Sequence, residues 1–344
     1  MIKIDNKKIS NKSLPFIIAE IGINHNGNIN NAFKLIDYAV AAKCDAVKFQ
    51  TINIKNLMVE NTPLAKYQKK TRFKNMNDLI KKYNLEYQDF VKLKNYCNKK
   101  GIIFLSTPFD IDSANFLNRI NIPAFKISST DNDNVFLIET IKSFNKPVIL
   151  STGMTKINEL KKILKIIKFK KNKLAILHCV SNYPTDLKDT KLGAIEQIKK
   201  FGYQVGFSDH TIGSSAAIAA IAKGAVIIEK HITLNNNMEG PDHDASLDCK
   251  KLAKFVKDIR DVKISLKDNR NTISKKESST KKIAKKSIYF SKNLKKNHKI
   301  KKSDLVALRP RIEGISPIDY KKIIGKTLKS DVKTNSILSY KKIK

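Results

Sequence analysis

Apolar and polar positions alternate along this chain with two different periods. Eight short runs are β-branched and apolar: Phe16–Gly22, Ala46–Thr51, Ile102–Phe109, Ala124–Thr130, Pro147–Met154, Leu174–Ser181, Val205–Thr211 and Val226–Thr233. Between them lie stretches with the 3.6-residue spacing of amphipathic helices, such as Asn31–Ala42, Asp112–Ile120, Val135–Phe144, Ile157–Ile167 and the Ala/Ile-rich Ser214–Lys223. The runs start 21 to 31 residues apart, apart from one gap of 56 after the second. Eight strand–helix units at that spacing predict a (β/α)8 barrel in the α/β class. The long gap has room for a helix, Glu86–Lys99, and for an excursion, Ile52–Asn84, expected to overhang the barrel mouth as a functional loop.

The last two units carry the densest polar pattern. Side chains alternate along a strand, so Ser208 shares a face with His210, and Glu229 shares one with His231. Parallel neighbours would bring two imidazoles and a carboxylate together at the C-terminal strand ends, where ligands of such folds bind. A lone strand-end histidine is usually structural. Two at matched positions, followed by Asp242 and His243, favour a divalent metal site, and Mn2+, Mg2+, Co2+ and Zn2+ all suit it.

The other runs also end in polar residues, which a purely structural barrel would not require. Among these residues are Glu20, Lys48 with Gln50, Thr107, Lys126 with Ser129, Ser151, and Tyr183. A lysine inside a parallel strand is costly to bury without an anionic partner. Lys48 and Lys126 are therefore expected to aim two ammonium groups at a bound phosphate or carboxylate, with the metal on the other side of the mouth. Glu20, Tyr183, Glu229 and Asp242 are candidates for proton transfer or for holding hydroxyls.

After a helix over Ser246–Leu266 the texture changes. Residues 267–282 are polar and Ser/Lys/Asn-rich, a linker by composition, and residues 283–344 form a second, small unit with strand-like runs at Ser287–Phe290 and Val306–Leu308. The barrel domain then spans residues 1–266. At 344 residues and 41% hydrophobic content the chain can bury a sizeable core. A net charge of +36 would ordinarily suggest nucleic acid, but lysine is spread uniformly and no basic block is interleaved with aromatics. No nucleic-acid partner is expected, although a basic surface would draw anionic substrates. The four cysteines stand singly, without CxxC spacing, and read as reduced thiols. The N-terminus has no apolar signal core and no apolar run spans a bilayer, so the reading is cytoplasmic and not membrane-bound.

Several motifs together resemble the sialic-acid synthase family. They are AEIGINHNG (Ala19–Gly27), VKFQT (Val47–Thr51), STPFD (Ser106–Asp110), FKISS (Phe125–Ser129), ILSTGM (Ile149–Met154), LHCVSNYPT (Leu177–Thr185), GFSDHT (Gly206–Thr211), IEKHIT (Ile228–Thr233) and GPDHDASLD (Gly240–Asp248). The tail from Lys285 resembles that family's antifreeze-like (SAF) domain. The resemblance implies condensation of phosphoenolpyruvate with an N-acetylated mannosamine-type sugar, releasing phosphate, with a divalent metal, most often Mn2+. It implies His210 and His231 as metal ligands. Lys48, Lys126, Ser129, Ser151 and Ser208 would hold phosphoenolpyruvate, with Gln50 and Thr107 nearby, while Glu20, Tyr183, Glu229 and Asp242 would bind the sugar or move protons.

The family's metal polarises the open-chain aldehyde, C3 of phosphoenolpyruvate attacks it, and water adds at C2 before phosphate leaves. Arg309 matches an arginine that reaches the sugar's N-acetyl group from a partner subunit, which implies a homodimer with exchanged SAF domains. GPDH favours the N-acetylneuraminate branch, or the legionaminate branch with its 2,4-diacetamido-2,4,6-trideoxy sugar, over pseudaminate. The first helix departs from the family pattern by ending in Ala42-Lys43-Cys44-Asp45, without the usual glycine. Two rival readings stay open from the residues alone. One is a Schiff-base aldolase using Lys48 or Lys126. The other is a basic binding protein with the tail as adaptor.

Overall fold

The computed structural model describes residues 1–65, 68–69, 71–266 and 271–344. The chain divides into two compact units, Met1–Lys267 and Asp268–Lys344.

In the first unit a short antiparallel hairpin, β1 (Ile2–Ile4) and β2 (Lys7–Ile9), precedes the barrel. The wall is β3 (Phe16–Gly22), β4 (Ala46–Thr51), β5 (Ile103–Pro108), β6 (Phe125–Ile127), β7 (Val148–Ser151), β8 (Leu174–Cys179), β9 (Gln204–Asp209) and β10 (Ile227–Thr233). These pair in parallel in sequence order, and β10 pairs with both β3 and β9, which closes the ring. A two-residue strand, β11 (Leu247–Asp248), adds to the end of β10. The expected eight-stranded barrel is present, with strand limits within three residues of the sequence reading.

Helices follow the strands: α1 (Ile29–Ala41), α2 (Ile54–Leu57), α3 (Met76–Tyr83), α4 (Tyr87–Lys100), α5 (Ile111–Arg119), α6 (Val135–Ser143), α7 (Ile157–Ile167), α8 (Ala194–Lys199), α9 (Ser215–Ala222) and α10 (Cys249–Ser265). The predicted loss of the glycine after the first helix has a structural answer. Lys43 takes the left-handed conformation itself, at φ 61°, at a cost of about 1 kcal/mol that glycine would avoid.

Alternation along the strands divides the unit into two cores. Outward residues such as Ile17, Val47, Phe125, Leu150, Ile176, Phe207 and Ile228 pack against the helices. Inward residues near the N-terminal strand ends, among them Phe16, Ile18, Ala46, Ile149 and Leu177, cluster with Ile2, Ile4 and Ile9, so the hairpin stoppers that end. Gly206 faces inward where a Cβ would stand 2.5 Å from Ile227 O, too close for any larger residue. Toward the C-terminal ends the inward positions become polar, so the closed floor and polar mouth arise from one alternating pattern.

The excursion between β4 and α4 contains α2 and α3 and has its own apolar cluster of Ile23, Ile52, Leu79, Ile80 and Tyr83, joined by Leu57, Met58 and Met76. Asp110, the last residue of the STPFD motif, caps α5 through Ser113 N at 2.8 Å and also takes Asn53 N at 2.8 Å, which ties the excursion's start to the barrel. Residues 66, 67 and 70 of the excursion lie outside the described residues.

The second unit holds α11 (Lys275–Ala284), the antiparallel pair β12 (Ser287–Phe290) and β13 (Leu305–Leu308), and isolated bridges around a small core including Ile288, Phe290, Ile300, Ile323 and Leu328. Of the expected linker, residues 267–270 lie outside the described residues. The rest is largely helical: it lies mostly in α11, which carries no buried residue and therefore has the polar texture of a linker.

Candidate active site

The C-terminal ends of the strands enclose a cavity of about 440 Å3. It is lined by Glu20, Lys48, Gln50, Thr107, Lys126, Ser129, Ser151, Tyr183, Ser208, His210, Glu229, His231 and Asp242, whereas His243 is buried outside it, hydrogen-bonded to Thr233 Oγ1 at 2.7 Å and Asn26 Oδ1 at 3.0 Å. Register explains the convergence. Glu20 is paired with both Lys48 and His231 across β4 and β10, Gln50 with Thr107, and Ser208 with Glu229. Arg309 belongs to the second unit, where it is exposed.

The two lysines are buried, as are both glutamates. Lys48 Nζ lies 2.7 Å from Glu20 Oε2 and 3.7 Å from Glu229 Oε2, and donates to Thr107 Oγ1 at 3.1 Å. Lys126 Nζ is 3.8 Å from Glu229 Oε1 and donates to the Ile127 carbonyl at 3.2 Å. Glu229 also accepts from Ser208 Oγ at 2.9 Å. It therefore stands between the two ammonium groups, and the expected division into an anion side and a metal side is bridged by one carboxylate.

These contacts set the charges. Burial outweighs the nearby lysines at Glu20 and, with Glu229 beside it, pushes its carboxyl up to about 7. Glu229 is equally desolvated, yet Lys126, Lys48, Ser208 and His210 together hold it below the usual carboxylate range. Burial pulls the Lys126 ammonium down, opposed by Glu229. Two neighbouring carboxyls with opposite shifts are suited to different roles, one to exchanging a proton and one to holding charge.

The two imidazoles stand with ring centroids 5.5 Å apart, and Tyr183 packs on both, 4.1 Å from His210 and 5.7 Å from His231. Burial of His210 is outweighed by Cys179, the Val180 carbonyl and Glu229, which raise its pKa above the ordinary value. Nδ1 donates to the Val180 carbonyl at 2.7 Å in either form, so when the ring gives up its proton the lone pair falls on Nε2, 3.4 Å from Ser208 Oγ. Burial, with positive charge from His210 and the lysines, keeps His231 neutral, and its Nδ1 is buried without a hydrogen-bond partner. Among the described residues no group of three or more His, Cys, Asp and Glu side chains is arranged to hold a metal ion. Two nitrogens with lone pairs nevertheless fit a divalent ion whose remaining ligands come from substrate or water oxygens.

On the opposite wall Ser129 Oγ accepts from Gly153 N at 2.9 Å, and the buried Ser151 Oγ has no partner. Gly153 allows this approach, since a Cβ there would overlap Ser181 Oγ and crowd Ser129 Oγ. Cys179 also lines the cavity, 3.6 Å from Ser129 Oγ and 3.9 Å from His210 Nδ1. The sequence signal for its place is alternation from the inward Leu177 along β8, which puts Cys179 in the mouth.

The NeuB family model matches residues 35–271, and the SAF domain model matches residues 285–344. The chain belongs to the NeuB family. Its fold is thus a TIM-type barrel followed by a SAF domain, as the motifs suggested. Among NeuB relatives, N,N'-diacetyllegionaminic acid synthase of Campylobacter jejuni is 36% identical, over 94% of this chain and 98% of its own length. Pseudaminic acid synthase of the same organism is 32% identical, over 94% and 95%. The crystal structure of an N-acetylneuraminic acid (sialic acid) synthetase from Leptospira borgpetersenii, in complex with citrate, has a TM-score of 0.73 at 36% identity, covering 81% of this chain and 94% of that one.

Proposed function

We propose that this sialic acid synthase family member condenses phosphoenolpyruvate with an N-acylated mannosamine-type sugar, giving a nine-carbon sialic acid and phosphate. The observation that carries the reading is the buried pair Lys48 and Lys126, ringed by Thr107, Ser129 and Ser151, facing two imidazoles with available nitrogens in the same cavity. An ammonium has three donors, and Lys126 uses one on a carbonyl, so it has capacity left for a phosphate or carboxylate. The partnerless hydroxyl of Ser151 points to the same ligand chemistry. The remaining cavity residues, Glu20, Tyr183, Glu229 and Asp242, take the sugar side, where they hold hydroxyls or move protons. His210 and His231 would hold a divalent ion such as Mn2+, which would supply Lewis-acid polarisation of a sugar oxygen. Arg309 would reach the sugar's acyl group from the partner subunit of a homodimer.

A second observation bears on which sugar is used. Above the polar floor the cavity is walled by Ile23, Ile52, Leu57, Met58, Met76 and Ile80. A hydroxyl buried there without a partner costs about 1–3 kcal/mol, whereas a buried methyl gains about 0.8 kcal/mol. This apolar roof favours the 2,4-diacetamido-2,4,6-trideoxy sugar, and hence a legionaminic-type product, over N-acetylmannosamine. Two relatives named N,N'-diacetyllegionaminic acid synthase lend support to this reading. The test is phosphate release by the metal-loaded protein from phosphoenolpyruvate with each sugar in turn. Release that depends on the sugar and is higher with the trideoxy sugar is expected. Release with neither sugar would refute the reading.

A further inference from the structure

On the outer faces of β9 and β10 the side chains that pack against the helices are apolar, Val205 and Phe207 on one strand and Ile228 and Ile232 on the other, with one exception on each. Asp209 and Lys230 are buried there, 0% and 1% exposed, with Lys230 Nζ 2.9 Å from Asp209 Oδ2. An ion pair shut away from water gains little stability over a well-packed apolar pair, so its presence among aliphatic neighbours calls for another reason.

Its position supplies one. Asp209 and Lys230 form the last rung of the β9–β10 ladder, and the residues immediately after them are His210 and His231. His210 lies just beyond the end of β9, without a ladder partner on β10. The ion pair grips the chain on both sides of it. Asp209 Oδ1 accepts from Thr211 N at 2.9 Å and from Thr211 Oγ1 at 2.8 Å, and Lys230 Nζ donates to the Thr211 carbonyl. One ammonium of β10 therefore holds the residue before His210 and the residue after it, while its own backbone lies between Glu229 and His231. The Lys230 ammonium is further confined over the Phe255 ring, 6.0 Å from the centroid.

We propose that the buried Asp209–Lys230 pair is a positioning clamp that holds the His210 and His231 imidazoles at the separation a shared divalent ion requires. The proposal rests on the metal reading above and adds to it two residues that never touch the ion. Outer-shell groups of this kind set metal affinity through the orientation of the ligands.

The test uses the full-length protein and Mn2+, with free Mn2+ followed by electron paramagnetic resonance and thermal unfolding followed in EDTA. The double variant Asp209→Asn/Lys230→Met removes both charges and leaves an oxygen to accept from Thr211, so no uncompensated charge is buried. Ile259→Val in α10, fully buried and away from the mouth, is the control for general loss of stability. The clamp requires the double variant to unfold within about 5 °C of wild type while its Mn2+ dissociation constant rises at least about tenfold, with the control unchanged. Wild-type affinity in the double variant overturns the proposal. So does a variant that no longer folds, or one whose affinity falls no further than in a control of matched stability, because the pair would then be only a structural buttress. If the wild-type protein itself binds no Mn2+, the metal reading fails and the clamp fails with it.

Discussion

Replacing Lys126 by methionine separates the anion-clamp role from a folding role more cleanly than any other change in the cavity. In the resting site its ammonium makes one hydrogen bond, to the Ile127 carbonyl at 3.2 Å, and a loose ion pair with Glu229 at 3.8 Å. Glu229 would keep Lys48 at 3.7 Å and Ser208 at 2.9 Å, so the variant leaves no carboxylate stranded. Methionine fills nearly the same volume, and losing the ammonium also relieves repulsion from Lys48. The net change in folding stability should stay within about 1 kcal/mol, well below the 3–5 kcal/mol of a buried pair broken outright. An anion bound where water is excluded would lose a charge-assisted hydrogen bond of about 2 kcal/mol, which is about 30-fold in affinity. Steady-state phosphate release against phosphoenolpyruvate concentration should show that rise in KM, with thermal unfolding close to wild type. An unchanged KM would place the anion elsewhere, and a collapse in stability would make Lys126 a structural residue.

Three other outcomes are expected. His231→Ala should keep the fold and lose Mn2+ binding, and EDTA should abolish activity until a divalent ion is restored; full activity of that variant in EDTA would remove the metal from the scheme. Burial lowers His25 from its ordinary 6.5 to about 4, so the unfolded chain takes up the proton first as pH falls. Its stabilising effect is complete above pH 6.5 and disappears as pH falls toward 4, by about 3 kcal/mol. Measured by urea unfolding, the stability of wild type should fall by about that much more than that of His25→Gln between pH 6.5 and pH 4, and parallel profiles would contradict it. Arg309→Ala and His231→Ala, each inactive as a homodimer, should recover activity on subunit exchange if Arg309 serves the partner's site; exchange without recovery places its action within its own chain.

Much of this architecture was legible along the chain because strand alternation is a local property. Glu20, Lys48, Lys126 and Glu229 fall on inward positions that follow apolar inward positions, so their convergence could be read before any coordinates. What could not be read is contact across the ring. That Glu229 sits between Lys48 and Lys126 follows from barrel closure, which no single strand encodes. Strand ends were over-read where side chains take over from the ladder: β6 stops at Ile127 because Ser128 turns away to donate to Asp131 at 2.9 Å. The hairpin of β1 and β2 escaped notice because three-residue strands carry almost no period. Helix α3 buries Leu79, Ile80 and Tyr83 under the excursion, a face too narrow to stand out among lysines and asparagines, and α11 buries nothing. Asp209 and Lys230 were passed over for the opposite reason: alternation placed them outside the cavity, where charge has no expected use.

The chemistry itself is open to one direct measurement. The protein, phosphoenolpyruvate, Mn2+ and the 2,4-diacetamido-2,4,6-trideoxy sugar are incubated together, and phosphate and sugar-derived products are quantified, the latter by mass spectrometry, with a parallel sample treated with borohydride. Condensation at this cavity requires one phosphate for each nine-carbon acid formed, and no loss of activity to borohydride. Product formed from pyruvate in place of phosphoenolpyruvate, with a lysine trapped by borohydride, would contradict it and make Lys48 or Lys126 a Schiff-base nucleophile.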